Sequence, residues 1–114
     1  MNEKLREHLN NIPYGVNTPW GETAWPAKSM PYIRDLALAN DWIILGGDVL
    51  TLECKHTYDN WYYSVDPQAS LADNVKRSIE KCRQYIDHYI YTNGEDFLFT
   101  ISMSDAYIGG RIGI

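Results

Sequence analysis

The sequence predicts an α+β domain: a small, mainly antiparallel sheet with a long helix of the C-terminal half packed on one face. Three observations carry this expectation. Residues 70–91 repeat apolar side chains at intervals of three and four, the period of one helix face. Residues 42–53, WIILGGDVLTLE, are apolar on both faces at first and then alternate, as a central strand does. The next strand-like run, 60–66, follows too closely for a crossover, so an antiparallel hairpin is expected. With 114 residues the chain supports one core, and residues 1–114 are expected to form a single domain.

The elements follow in order. Residues 2–10 fit a short helix with Leu5 and Leu9 one turn apart. Residues 12–31 hold four prolines and two glycines and resist regular structure. They also carry Tyr14, Val16, Trp20 and Trp25, so this loop is expected to fold back onto the core. Residues 31–39 read as a helix opened by Pro31, with Ile33, Leu36 and Ala37 inward and Asn40-Asp41 as its stop. In the strand that follows, Leu50 and Leu52 face one way, Val49 and Thr51 the other. Lys55–Asp59 is polar and reads as a loop. Residues 60–66 place Trp61, Tyr63 and Val65 together. Ser70 and Asp73 have capping-box spacing. The helix stripe then runs Leu71, Val75, Ile79, Cys82, Ile86 and Tyr89/Ile90, with Lys76, Arg77, Glu80, Lys81, Arg83 and Asp87 mainly elsewhere, and Asn93-Gly94 stops it. Residues 96–103 give a third strand with Phe97, Phe99, Ile101 and Met103 inward. The tail SDAYIGGRIGI fits a short edge strand or an ordered extension.

Composition narrows the function. The net charge is −5 and the pI near 5.0. An acidic surface opposes binding to a phosphate backbone and suits a basic protein partner. Four Trp, nine Tyr and two Phe supply large rings of the kind that anchor protein interfaces. The polar start MNEKLREHLNN lacks the apolar core of a signal peptide, and no apolar run reaches a membrane span. A cytoplasmic protein without membrane contact is expected, with Cys54 and Cys82 as reduced thiols.

Catalytic patterns are sparse. His8, His56 and His88 fall in no recognisable catalytic spacing. Cys54-Lys55-His56 offers two metal ligands where a structural zinc site takes four, and Cys82 and His88 point to different helix faces. Neither a metal nor a cofactor is expected. Cys82 reads as a small core hydrophobe. Gly46-Gly47-Asp48 begins like the Gly-Gly-Asp-Glu-Phe signature of nucleotide cyclases, but Val49 and Leu50 stand where that signature needs an acid and an aromatic, and the chain is too short for that domain. The preferred reading of LGGDVL is structural: a β-bulge or sharp bend, with an indole over the glycines and Asp48 accepting an N–H from the indole or the bent backbone.

Taken together, Leu45-Gly46-Gly47-Asp48-Val49-Leu50, then Asn60-Trp61-Tyr62, then a helix opening Ser70-Leu71 and reading Ser78-Ile79 and Tyr85-Ile86, resemble the immunity protein 40 family of bacterial polymorphic-toxin and contact-dependent growth inhibition systems. The resemblance spans residues 14–103; the tail beyond Ser104 departs from it. It implies a non-catalytic cytoplasmic binder that neutralises a cognate toxin C-terminal domain, commonly a nuclease. On that reading Gly46, Gly47, Asp48 and Trp61 maintain the fold. Tyr58, Asp59, Tyr62, Asp66, Asp105 and Tyr107, chosen for residue type and expected exposure, are the toxin-contact candidates. Two other classes stay open at this point: a small cysteine-dependent enzyme using Cys54, His56 and Asp48, and a generic interaction adaptor.

Overall fold

The structure, a computed structural model, describes residues 3–104 and the backbone of residues 107–108 and 111–112. Its order is α1 (Glu3–Asn10), β1 (Val16–Asn17), β2 (Thr23–Pro26), a 3-10 turn (Ala27–Ser29), α2 (Met30–Asn40), β3 (Ile43–Thr51), β4 (His56–Tyr62), α3 (Leu71–Asn93), β5 (Phe97–Phe99), β6 (Ser102–Ser104), β7 (Tyr107–Ile108) and β8 (Arg111–Ile112). The main sheet runs β1-β2-β5-β3-β4, with β6 also on β3, and every pairing is antiparallel. The α+β expectation holds, with β3 at the centre, β4 at an edge and α3 across one face.

Local chemistry explains the helix ends. The Ser70 hydroxyl accepts from the Asp73 amide at 3.1 Å, so α3 is capped at the expected residue. Asp41 takes the left-handed conformation at the end of α2, and the Trp42 amide reaches back to the Ala37 carbonyl at 2.9 Å. The main core lies between the sheet and the helices. It collects Leu5 and Leu9 from α1, Ile33 and Ala37 from α2, Ile44 and Val49 from β3, and Cys82, Ile86 and Tyr89 from α3. Burial pushes the Cys82 thiol up to about 12, which suits its packing role. A smaller cluster of Ala24, Leu50 and Leu98, with Cys54 against it, occupies the opposite face.

Several expectations are corrected. Residues 12–31 are not irregular throughout: they contain the β1–β2 hairpin, and β2 continues the sheet through Trp25↔Phe99. The Thr-Ala-Trp-Pro stretch buries Ala24 and Trp25, whereas Tyr14, Val16 and Trp20 remain exposed instead of folding into the core. Of the predicted loop Lys55–Asp59, residues 56–59 are strand and only Lys55 lies outside β4. The turn is only Leu52-Glu53-Cys54, closed by Thr51 N–H to the Lys55 carbonyl at 2.8 Å, with Cys54 in the left-handed region. Strand β4 therefore starts at His56 and ends at Tyr62, and Leu52 lies exposed in the turn beyond β3, not on a strand face shared with Leu50. The predicted strand 96–103 is split into β5 and β6, although Phe99, Ile101 and Met103 keep their inward alternation. In the tail, β7 and β8 pair with each other as a separate hairpin.

The bend at LGGDVL is a register shift. Ile44 pairs with Met103, but Gly46 pairs with Ser102, so β3 carries one extra residue at Leu45. Before the bulge Ile44 enters the main core. After it Val49 does, while Gly46, buried against the β4 backbone, takes a φ of +148°. The bulge thus lets both halves of one strand serve the same core despite the fixed alternation of β structure.

Candidate functional site

At Gly47 a carbonyl and a ring close in. A Cβ there would lie 1.9 Å from the Thr100 carbonyl oxygen and 2.7 Å from the Trp61 ring. The indole therefore lies over Gly47, while Gly46 meets the Trp61 and Tyr62 backbone. Asp48 is not its acceptor: the Trp61 N–H is buried without a hydrogen-bond partner, and the Asp48 carboxylate is exposed. It is the Asp48 backbone that is held, its amide donating to the Thr100 hydroxyl at 2.9 Å and its carbonyl accepting from the Thr100 amide at 3.0 Å.

Edge strand β4 has its own irregularity. Asp48 pairs with Asn60 and Leu50 with His56, so two extra residues are inserted between His56 and Asn60. The insertion is stabilised internally. The Thr57 hydroxyl donates to the Val49 carbonyl at 2.9 Å and accepts from the Asp59 amide at 3.1 Å. Tyr58 at its apex has a φ of 68° and is 89% exposed. A non-glycine residue in this region costs about 1–2 kcal/mol, and such strain concentrates at functional positions.

Behind β4 stands a wall of rings. Trp61 stacks on Tyr85 at 5.0 Å, Tyr85 on Tyr89 at 6.0 Å, and Tyr89 meets Phe97 edge-on at 5.1 Å. The Tyr89 hydroxyl donates to Asp59 Oδ2 at 2.9 Å. Burial raises both tyrosine hydroxyls above the usual tyrosine range. The Asp59 carboxylate adds to each shift, through its hydrogen bond to Tyr89 and its charge near Tyr85.

Four of the six contact candidates gather along this edge. Tyr58, Asp59 and Tyr62 are on β4, and Asp66 follows in the connection to α3. Tyr62 is 68% exposed, with the Lys81 ammonium 5.5 Å from its ring centroid. Asp66 is committed to structure: it pairs with Arg77 at 3.0 Å and accepts from the Gln68 amide at 2.9 Å. Its backbone is clamped by the buried Asn74, which also accepts from the Tyr63 hydroxyl at 2.7 Å. Asp105 lies outside the described residues, and Tyr107 is placed only as backbone in β7.

Two exposed rings escaped the sequence reading. Trp20 stacks on His56 at 5.2 Å with 16° between planes, and His56 lies 6.3 Å from Tyr58. The signal was Trp20's place between Pro19 and Gly21, a turn-tip setting that favours exposure. Cys54, His56 and Asp48 do not form a linked nucleophile and base: no hydrogen bond joins any two of them. Among the described residues no three His, Cys, Asp or Glu side chains come together to hold a metal ion, and no helix is long and apolar enough to cross a membrane. An open groove of about 670 Å³ runs between α1, the β1–β2 turn and the start of β6, lined by Arg6, Asn10, Glu22 and Trp25 among others.

No curated protein and no solved structure matches this chain. The model of the immunity protein 40 family does, over residues 9–103, a span that runs from the end of α1 through β6 and so includes the bulged β3, the ring-backed β4 and the whole of α3. The chain belongs to the immunity protein 40 family.

Proposed function

We propose that this chain neutralises one cognate bacterial toxin domain, a basic nuclease, by binding it and covering its active or substrate-binding site. The observation that carries this reading is the family match across most of the chain. The net charge of −5 supports it, because an acidic inhibitor is steered toward a basic enzyme. So does the β4 edge, where exposed rings stand on a packed aromatic wall. Inhibiting a lethal enzyme takes nanomolar binding or better, about −12 kcal/mol, and a few preorganised anchors supply most of such an energy.

Tyr58, Asp59, Tyr62 and Asp66 are the proposed contacts along β4, with Asp105 and Tyr107 beyond it. The protein acts in the cytoplasm as part of a polymorphic-toxin or contact-dependent growth inhibition system. It catalyses nothing and uses neither a metal nor a cofactor; its partner is the toxin, with no nucleic acid or membrane involved. An immunity gene ordinarily follows its toxin gene, so the test uses the C-terminal domain encoded immediately upstream. The two products should co-purify, and co-expression should rescue cells from the toxin domain. Failure of both would refute the reading. A purified chain that turned over substrate, with loss of that turnover in Cys54→Ser, would replace it.

A further inference from the structure

The candidates along β4 leave out Trp20 and His56, two stacked rings beside Tyr58. The β1–β2 turn is tightly closed: the Thr18 amide and hydroxyl both donate to the Glu22 carbonyl, at 2.8 and 2.7 Å, and the Gly21 amide donates to Thr18. Trp20 at its tip is 47% exposed, yet its indole N–H is held by Glu22 Oε2 at 3.1 Å and its face by His56. Tyr58 is pushed outward next to His56 by the inserted residues of β4. Three rings from two distant chain segments therefore form one fixed row. Cross-strand partners share a face. His56, paired with Leu50, thus lies on the side of the sheet that carries the small Ala24–Leu50–Leu98 cluster, away from the main core. Asp48 and Asn60 pair on that same side.

Charge selects the occupant. Glu22 borders the row through its bond to Trp20, Asp48 is exposed on the same side of the sheet, and the chain carries a net charge of −5, with Arg6 as a cation in the groove beside Trp20. A flat ring face bordered by carboxylates fits a guanidinium, which stacks on aromatic faces and donates paired hydrogen bonds to carboxylates. We propose that the Trp20–His56–Tyr58 row is the anchor surface for the toxin, and that it receives an arginine presented by the toxin's basic face. The inference rests on the proposed function and extends it to a surface formed by two segments, with His56 between Trp20 and Tyr58.

The test is titration calorimetry of the full chain against the inactivated toxin domain encoded immediately upstream. The variants are Trp20→Ala and Tyr58→Asn; asparagine tolerates the left-handed conformation, so the second removes the ring and keeps the backbone. Each should raise Kd at least tenfold, with an unfolding midpoint that shows the variant is folded. Tyr91→Ala, at a site 90% exposed on α3, should change Kd less than twofold. Glu22→Gln with Asp48→Asn should weaken binding and flatten its salt dependence. If the wild-type chain binds and both ring variants remain within twofold of it, the row is not the anchor and the inference falls while the function stands. If the wild-type chain does not bind, both fall. A dimer of this chain that both ring variants abolish would assign the surface to self-association and overturn the inference.

Discussion

Gly47→Ala tests whether the Gly-Gly-Asp bend is a packing device. The added methyl would lie 1.9 Å from the Thr100 carbonyl oxygen, 2.9 Å from the Thr100 carbonyl carbon and 2.7 Å from the Trp61 ring. Comfortable contact lies at roughly 3.5–4 Å, so β3 must part from the β5–β6 junction by more than ~1 Å. Overpacking of this kind costs about 1–3 kcal/mol. Separation also stretches the two hydrogen bonds between Asp48 and Thr100, each worth about 1 kcal/mol net. The expected loss is about 3–5 kcal/mol, a large part of a typical domain's stability. At 114 residues, each 1 kcal/mol lowers Tm by about 4 °C, which makes the drop about 12–20 °C. Gly21→Ala is the control. Gly21 also has a positive φ, +89°, but nothing lies within 4 Å of its Cβ position, so only about 1 kcal/mol and about 4 °C are at stake. Circular dichroism melts of the two variants decide the matter. If Gly47→Ala melts no lower than Gly21→Ala, the contact at Thr100 yields easily and the bend has no packing role.

Other expectations are independent of it. Asn74→Ala should destabilise by about 3 kcal/mol, because the buried amide bridges Tyr63, Asp66 and Ser70; denaturant unfolding measures this. Ser70→Ala removes the cap of α3 and should cost about 1 kcal/mol by the same assay. With a chromogenic disulfide reagent at pH 8, Cys54 should react in the native protein and Cys82 only after denaturation, since burial keeps its thiol protonated. Alkali should unfold the chain through Tyr85 and Tyr89. Their folded pKa values are raised, so the unfolded state loses protons first; stability is intact below the ordinary tyrosine pKa and falls as pH climbs through the folded values, and Asp59→Asn should make that fall shallower.

Much of the fold was legible because its strongest signals were local. The α3 stripe, its Ser70 cap and its Gly94 stop depend on residues close in sequence, and all three are where the pattern put them. The β3–β4 hairpin was equally visible, but its turn was misplaced. The stretch from His56 to Asp59 is polar because it forms an exposed edge strand with an insertion, and a polar edge strand does not alternate. The β1–β2 hairpin was hidden for a different reason. Its proline and glycine content suits a loop, and only the nonlocal pairing of Trp25 with Phe99 makes β2 a strand. The candidate site divides the same way. Tyr58, Asp59 and Tyr62 could be grouped by sequence proximity. Trp20 is brought to His56 across more than thirty residues by tertiary contact that no local pattern encodes.

The position of Tyr58 separates a binding residue from a structural one by the sign of two measurements. A structural residue, when replaced, lowers stability and affects binding only through the fold. Tyr58 is 89% exposed and makes one distant ring contact, so the fold loses little without it. It also holds a left-handed backbone that a tyrosine resists. Asparagine adopts that conformation more readily, so Tyr58→Asn should raise stability by about 0.5–1 kcal/mol, or about 2–4 °C. If the ring is there for the toxin, the same substitution weakens binding at least tenfold. Opposite movement of stability and affinity is the mark of strain kept for function. A Tyr58→Asn protein that is less stable and binds as tightly as wild type would show instead that the insertion in β4 serves the sheet alone.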